Sequence, residues 1–165
     1  MKSILLVLLC IGPALHAQEI PQQLWGAWRI TRILPARTIS CWGEKDAELL
    51  LGTEIRYSAH GFRWKGKDVN KPKVEVKLFT AQQFKDTYSS PSVNGSQVSF
   101  KQLGIHSKEI QEIDIEHPAA DITGATTEIP GDSVLLKNKN TIIFSVCNVY
   151  FEAHKMASKT HIDRQ

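Results

Sequence analysis

The sequence predicts a mainly β protein, an antiparallel barrel or half-open barrel of seven to eight strands with one or two short helices. Three observations carry this prediction: hydrophobic residues alternate with polar ones in short runs, the runs recur about every ten residues, and glycine, proline or asparagine separates them. The chain has 165 residues and is 42% apolar, which suits a single globular domain. Curling such a sheet hides its edges and gives it an interior.

The charge balance excludes some partners. Twenty Lys and Arg stand against 17 Asp and Glu, so the formal net charge is +3. The basic residues are mixed with acidic ones and form no concentrated patch, so nucleic acid is not an expected partner. The normal apolar fraction and small net charge also argue against a disordered chain.

The first segment is typical of a secretory signal peptide. Lys2 precedes an apolar run over 4–11, and the segment ends at the small residue Ala17, with Leu15 a loose fit three residues before the cleavage point. The run is too short to span a bilayer, so no stable membrane insertion is expected. We predict a signal peptide over 1–17, a barrel domain over 18–155, a flexible tail over 156–165, and a periplasmic or secreted location.

The first half of the mature chain alternates between strand and helix patterns. Strands are predicted over 24–33, 53–58, 61–65 and 73–79. Between the first two, apolar residues at helical spacing from Trp42 to Leu51 predict a short helix that ends before Gly52.

The second half contains a second helix signal and the strongest hairpin. Thr80 to Gln83 resembles a capping box and predicts a short helix over 84–88. Strands are expected over 110–116 and 133–137, and an apolar run over 141–152 predicts one long closing strand.

Two cysteines remain after the predicted cleavage, Cys41 and Cys147. In an oxidising compartment an even pair favours one disulfide, which would tie an early segment to the closing strand. Two reduced, buried thiols are the alternative, because cysteine is a common core residue.

Several segments together resemble a known family. Gly26-Ala27-Trp28 matches the G-x-W signature of lipocalins. The supporting layout consists of the segments 39–58, 100–105 and 130–133 and the closing hairpin to Glu152. The chain resembles small secreted bacterial lipocalin-like proteins of mostly uncharacterised function, over about 24–155. The resemblance implies a calycin-type barrel.

The resemblance also assigns structural roles to single residues. It makes Gly26 and Trp28 structural, and it implies that a basic side chain near the last strand, Lys155 or His154, covers the tryptophan ring. A standard lipocalin carries its helix after the barrel, so the early helix of this chain leaves a half-open barrel as an alternative.

No catalytic residue, metal site or cofactor is predicted. No histidines lie at a metal-ligand spacing such as H-x-H or H-E-x-x-H, and no G-x-S-x-G motif occurs. Glu112, Asp114 and Glu116 share one face of a predicted strand, and we assign them to a solvated face rather than to acid-base chemistry.

Aromatic residues supply the candidate binding site. A barrel interior that they line could hold a small apolar ligand, although small barrels are often filled by their own side chains. Arg56 and Arg63, opposite in phase to these residues, are expected to face solvent. The predicted ligand-binding residues are Trp42, Tyr57, Phe62, Trp64, Phe144 and Tyr150.

The functional expectation is therefore an exported, monomeric, non-catalytic protein that binds a small hydrophobic ligand in its barrel. The alternative is a periplasmic or secreted module that binds a protein partner, such as an inhibitor of an enzyme or toxin. Loops over 88–97 and 117–131 are long enough to carry such contacts.

Overall fold

The computed structural model describes residues 19–37, 43–70, 72–88, 98–116 and 129–157. These residues form nine antiparallel strands and two short α-helices, preceded by a 3-10 turn at Gln22–Leu24. The elements are β1 (Gly26–Arg37), α1 (Glu44–Glu48), β2 (Glu54–Ser58), β3 (Gly61–Trp64), β4 (Lys67–Asn70), β5 (Lys73–Thr80), α2 (Ala81–Tyr88), β6 (Glu109–Glu116), β7 (Ser133–Asn138), β8 (Thr141–Val146) and β9 (Val149–Lys155). In the described part of the chain, neither helix has the length and apolar character needed to cross a bilayer.

The strands form a single curled sheet in which each strand pairs with the next along the chain, except β4 and β5. The order is β4-β3-β2-β1-β9-β8-β7-β6-β5, so the first strand pairs with the last and the sheet ends at β4 and β5. All pairs are antiparallel. The prediction of a mainly β, half-open barrel is confirmed.

The curled sheet buries side chains on both faces. Alternate residues of each strand point to opposite faces, and β8 shows the result: Ile142 and Phe144 pack in an inner cluster, and Ile143 packs in an outer one. The inner cluster draws residues from nearly every strand. The outer cluster lies under α2 and the segment 98–105. A second apolar layer therefore covers part of the outer surface.

Trp28 anchors the start of the sheet. Its ring is fully buried, and its Nε1 donates a hydrogen bond of 2.7 Å to the Leu24 carbonyl. The Lys155 Nζ lies 5.1 Å from the ring centroid and donates to the Gln23 carbonyl at 3.0 Å. Lys155, rather than His154, thus has the position that the family resemblance implies, and it joins the last strand to the turn before the first.

The structure has nine strands rather than seven or eight, because the sequence pattern did not reveal one strand and one turn. β4 is a short, polar strand that pairs with β3. The predicted single strand over 141–152 is wrong, because a two-residue turn at Cys147 and Asn148 divides it into β8 and β9. Both turn residues have positive φ, 50° and 61°, as a tight hairpin turn requires.

The other boundaries shift by a few residues. β1 continues through Pro35. This residue lies beyond the part of β1 that pairs with β2, so its missing N–H removes no hydrogen bond to β2. α2 starts at Ala81, three residues earlier than expected, directly after a capping box. In that box Thr80 N donates to Gln83 Oε1 at 3.0 Å and Gln83 N donates to Thr80 Oγ1 at 3.3 Å. α1 is shorter than predicted, at five residues.

Tyr57 crosses the interior from β2 to the turn before β7. Its ring is buried, and its hydroxyl donates a 2.8 Å hydrogen bond to the Gly131 carbonyl. Burial raises the pKa of this hydroxyl well above its ordinary value, so it stays protonated as a donor. Gly131 has φ of 90°, and a Cβ there would lie 2.3 Å from the Tyr57 hydroxyl. The close approach of β2 to this turn therefore requires a glycine.

The substitution Gly131→Ala should destabilise the fold by about 3 kcal/mol, because it adds a steric clash to a strained positive φ. In Gly131→Ala/Tyr57→Phe the clashing hydroxyl is gone, so the combined loss should be smaller than the sum of the single losses. Urea unfolding measures both.

Gly52→Ala is the matched control for backbone strain. Gly52 also has positive φ, 80°, but no atom lies within 4 Å of its Cβ position. It should lose only about 1 kcal/mol. Equal losses at the two glycines would contradict the packing role of Gly131.

The predicted disulfide falls partly outside the described residues, because Cys41 lies there. Cys147 is partly buried in the β8–β9 turn and not within a strand. We expect peptide mapping without reductant to recover a Cys41–Cys147 peptide. Reduction should lower stability by up to roughly 4.7 kcal/mol, the chain-entropy value for a loop of about 100 residues. Alkylation of both cysteines in the native, unreduced protein would contradict this bridge.

Candidate functional site

The outer face of the sheet carries an aromatic platform. Phe84 of α2 is buried, with its ring 4.6 Å from Tyr88 and 5.4 Å from Phe100, measured between centroids. Phe79 of β5 packs edge-on against Phe84 at 6.3 Å. These contacts hold α2 and the segment 98–105 against β5 to β8.

A groove runs between these two segments, and we call it the α2 groove. Its volume is about 520 Å³, within the range of small-molecule sites. Phe100 and Ile105 are its large apolar lining residues, although they are only 6% and 5% exposed, and Lys85, Lys101 and His106 line it with basic side chains. The remaining lining residues are Ala81, Gln82, Ser99 and Ser107. The groove combines apolar side chains with two lysine cations and a histidine.

The side chains that line the α2 groove carry an excess of positive charge. Its lining contains no carboxylate. Within the described part of the chain, no salt bridge involves Lys85, Lys101 or His106. Positive charge beside apolar surface favours a ligand that has both an anionic and an apolar part.

A second, more polar trough of about 380 Å³ lies on the outside of β2 and β3. Arg56, Arg63 and Lys65 line it with Glu54. Arg63 is paired with Asp68, with Nε 2.6 Å from Oδ1, and Glu54 is paired with Arg29 at 3.1 Å. Because much of its charge is already compensated and it has no large apolar lining residue, it is a weaker candidate.

Glu112 is buried beneath the aromatic platform. The residue is 3% exposed, and its carboxylate accepts a hydrogen bond from the Tyr88 hydroxyl. The Ser133 hydroxyl lies 3.5 Å from the same carboxylate and donates to Asp114 at 2.6 Å. Burial raises the pKa of Glu112 above its ordinary value, with the negative charge of Asp114 acting in the same direction. The expectation of a solvated face is therefore wrong for Glu112.

Glu152 is the second buried carboxylate on this face, at 5% exposure. It lies 2.8 Å from Lys137 Nζ, 3.0 Å from Arg32 Nη2 and 3.1 Å from His154 Nε2. Burial alone would raise its pKa, but the hydrogen bond and charge of Lys137, with His154 and Arg32, bring the pKa below its ordinary value. Glu152 is therefore ionised and compensated.

Glu112 is poorly placed to contact a substrate. The cavity beside Glu112, Tyr88 and Ser133 has a volume of about 30 Å³, enough for a water molecule. Within the described residues, no group of three His, Cys, Asp or Glu side chains is arranged to hold a metal ion. The cluster is best described as a polar link between α2 and the sheet.

The structure separates the predicted ligand-binding residues. Tyr57, Phe62 and Phe144 are only 1–2% exposed and pack in the inner cluster. Trp64 is partly buried against that cluster, with its indole Nε1 buried and without a hydrogen-bond partner among the described residues. Tyr150 packs on the opposite face of the sheet. Trp42 lies outside the described residues.

Most of the polar residues considered lie on the solvent-exposed faces that the sequence pattern predicted. Arg56 and Arg63 are exposed as predicted, and so is Glu116. His60 lies 3.6 Å from Glu19 on the surface.

Sequence reasoning missed the α2 groove because its walls are separated along the chain. Lys85 is on α2, and Lys101 and His106 lie beyond a segment that the structure does not describe. The only local signal was the capping box at Thr80. The docking of Phe84 against Phe100, which brings the basic residues together, is a tertiary contact.

The fold thus belongs to the class of half-open, antiparallel β-barrels with a meander topology. No protein-family model, curated protein or solved structure matches the chain.

The two buried carboxylates should affect stability in opposite directions. The raised pKa of Glu112 means that its ionisation opposes folding as the pH rises through and above the ordinary carboxyl range, so Glu112→Gln should be more stable than the wild type at pH 7. The lowered pKa of Glu152 means that its ion pairs stabilise the fold above that range and lose their effect as the pH falls. Glu152→Gln should lose about 2 kcal/mol at pH 7.

Urea unfolding at pH 7 and at about pH 4 checks both predictions. Both differences from the wild type should shrink at the lower pH, where the carboxylates gain protons. Loss of stability in both variants at pH 7 would refute the opposite assignments.

Proposed function

We propose that this protein is an exported, non-catalytic binding protein of the lipocalin-like type that holds a small amphipathic anion in the α2 groove. The expected ligand has an alkyl chain and an acidic head, as a fatty acid does. The single observation that carries the proposal is that Phe100 and Ile105 line the same groove as Lys85, Lys101 and His106, which form no salt bridge among the described residues.

Packing favours the α2 groove over the interior predicted from the sequence. The buried rings of Tyr57, Phe62 and Phe144 occupy inner-face positions. The hydrogen bond from Tyr57 to Gly131 crosses the same space. Small barrels are commonly filled in this way by their own side chains. A ligand there would have to displace well-packed aromatic groups.

Three features support the lipocalin-like character. The strands follow in meander order, and β1 pairs with β9, as in up-and-down barrels. Gly26 and Trp28 occupy the start of β1, and Lys155 covers the Trp28 ring. Export rests on the signal-like segment over 1–17, and it agrees with the proposed Cys41–Cys147 bridge.

A protein-binding module is the second candidate. One observation favours it: β5 forms an end of the sheet, and its Leu78 is 60% exposed. Large apolar side chains on open sheet edges can serve as contacts for another chain.

The ligand proposal is tested with dodecanoate and with dodecanol, which has the same chain and no charge, by titration calorimetry. We expect dodecanoate to bind and dodecanol to bind at least tenfold more weakly. Lys85→Gln and Lys101→Gln should each raise the dodecanoate Kd about tenfold, because each removes a partly desolvated charge contact worth about 1.4 kcal/mol.

Controls separate the groove from the interior. Lys139→Gln removes an exposed lysine in the β7–β8 turn and should leave the Kd unchanged. Ala81→Trp fills the groove from an exposed position and should abolish binding. If Tyr57→Phe changes the Kd while Ala81→Trp does not, the ligand lies in the interior and the groove assignment is wrong.

A further inference from the structure

The outer edge of β5 is open in the described part of the chain. β5 is the terminal strand of the sheet, and all eight of its residues pair on one side with β6. Such an edge leaves a row of backbone N–H and C=O groups directed away from the sheet. The edge can therefore accept another strand.

The two ends of the sheet differ in how they resist such pairing. β4 has only four residues, and its exposed Lys67 pairs with Trp64 at a register position on the same face as Phe62 and Val69. Short strands and inward charges are devices that block edge association. β5 has neither, and its pairing with β6 is continuous, without a bulge. Its inner face carries Val74, Val76 and Leu78.

Leu78 marks this edge as incompletely covered. It is 60% exposed, although it lies on the same face as the buried Val74. The outer face of β5 presents Lys73, Glu75 and Lys77 in alternation with these apolar residues. Within the sheet Lys73 lies 2.9 Å from Glu116, and Lys77 lies 2.9 Å from Asp114 and 3.2 Å from Glu75, so a second strand would extend this charge network rather than meet unpaired charges. β5 therefore has an apolar side and a side with alternating charge signs.

The charge order selects one register for a symmetric pair of β5 strands. When two β5 strands pair antiparallel about a twofold axis, one residue lies opposite its own copy. The inner faces of both strands then lie on the same side of the joined sheet. If the twofold axis passes through Glu75, the two copies of Glu75 lie opposite each other and Lys73 lies opposite Lys77. If the axis passes through Lys77, two lysines lie opposite each other. Centring on Val76 sets Glu75 opposite Lys77 twice.

The same register covers the exposed leucine. With Val76 at the centre, Leu78 of each chain lies opposite Val74 of the other. Cross-strand apolar pairs and pairs of opposite charge both stabilise antiparallel sheets. Charge and apolar complementarity thus agree on a single arrangement.

We propose that two copies of this chain associate through the outer edges of β5, antiparallel and centred on Val76, to join two half-open sheets into one. The partner is a second copy because the edge is complementary to itself in both charge and apolar contacts. This association departs from the monomer expected from the sequence, and it does not depend on the α2 groove.

Cysteine crosslinking tests the register. Opposed residues of an antiparallel pair have Cα atoms about 4.5–5.5 Å apart, which suits a disulfide. Val76→Cys should therefore form a covalent dimer on mild oxidation. Leu78→Cys should not, because its copy lies about 13 Å further along the pair.

The two cysteine variants also exclude random collision. Leu78 is the more exposed site, so collisional crosslinking would favour Leu78→Cys. Equal or faster crosslinking of Leu78→Cys would overturn the register. A mixture of Val74→Cys and Leu78→Cys chains should give a crosslinked heterodimer, which confirms the same register from a second pair.

Sedimentation equilibrium of the wild type tests the association itself, from about 1 μM to about 1 mM. We expect a reversible monomer–dimer equilibrium. Glu75→Lys places two lysines opposite each other at both symmetric positions and should weaken the dimer at least about tenfold. Glu48→Lys, an exposed change of the same charge on α1, should not.

Circular dichroism confirms that each variant is folded before its association is measured. A wild type that stays monomeric throughout this range, or a dimer that Glu75→Lys leaves unchanged, would overturn the proposal. Neither result would bear on dodecanoate binding in the α2 groove.

Discussion

The pairing of β1 with β9 is the contact on which the architecture depends. It joins the two ends of the meander, so that residues from the first strand and the last reach the same inner cluster. Trp28 fills the space under this joint, and Lys155 closes over its ring and reaches the turn before β1. Without this pairing, the two halves would be separate, small sheets with little buried surface.

The second constraint is the cover on the outer face. Phe84 and Phe100 attach α2 and the segment 98–105 to the sheet, and Phe84 and Tyr88 of α2 lie beside the buried Glu112. Burying a carboxylate is unfavourable, and the hydrogen bond from the Tyr88 hydroxyl offsets only part of that cost, because the pKa of Glu112 remains raised. The same docking creates the α2 groove. The polar cluster and the proposed ligand site are thus two consequences of one tertiary contact.

The proposed functions use different surfaces of the half-open barrel. The α2 groove lies on the outer face, and the proposed dimer uses the edge of β5. The interior, which is the common ligand site of larger barrels, is crossed by Tyr57. In this chain, binding is therefore proposed for the parts of the fold that packing leaves accessible.

The sequence by itself determined most of the strands and their faces. Alternation of apolar and polar residues placed Tyr57 and Phe62 inside and Arg56 and Arg63 outside, because side-chain direction in a strand depends only on position. The capping box at Thr80 predicted α2 correctly, because its hydrogen bonds join residues that are close in the sequence. At Cys147 and Asn148 the sequence lacks a glycine or proline that would indicate a turn. It therefore predicted one continuous strand where the structure has a turn.

Only the tertiary structure decided which face was covered and which was open. Periodicity assigned Glu112 and Glu116 to the same outer face, yet α2 buries the first and leaves the second in solvent. It likewise could not show that Lys85, Lys101 and His106 line one groove. These outcomes depend on contacts between residues that are distant in the chain, and a local pattern holds no information about them.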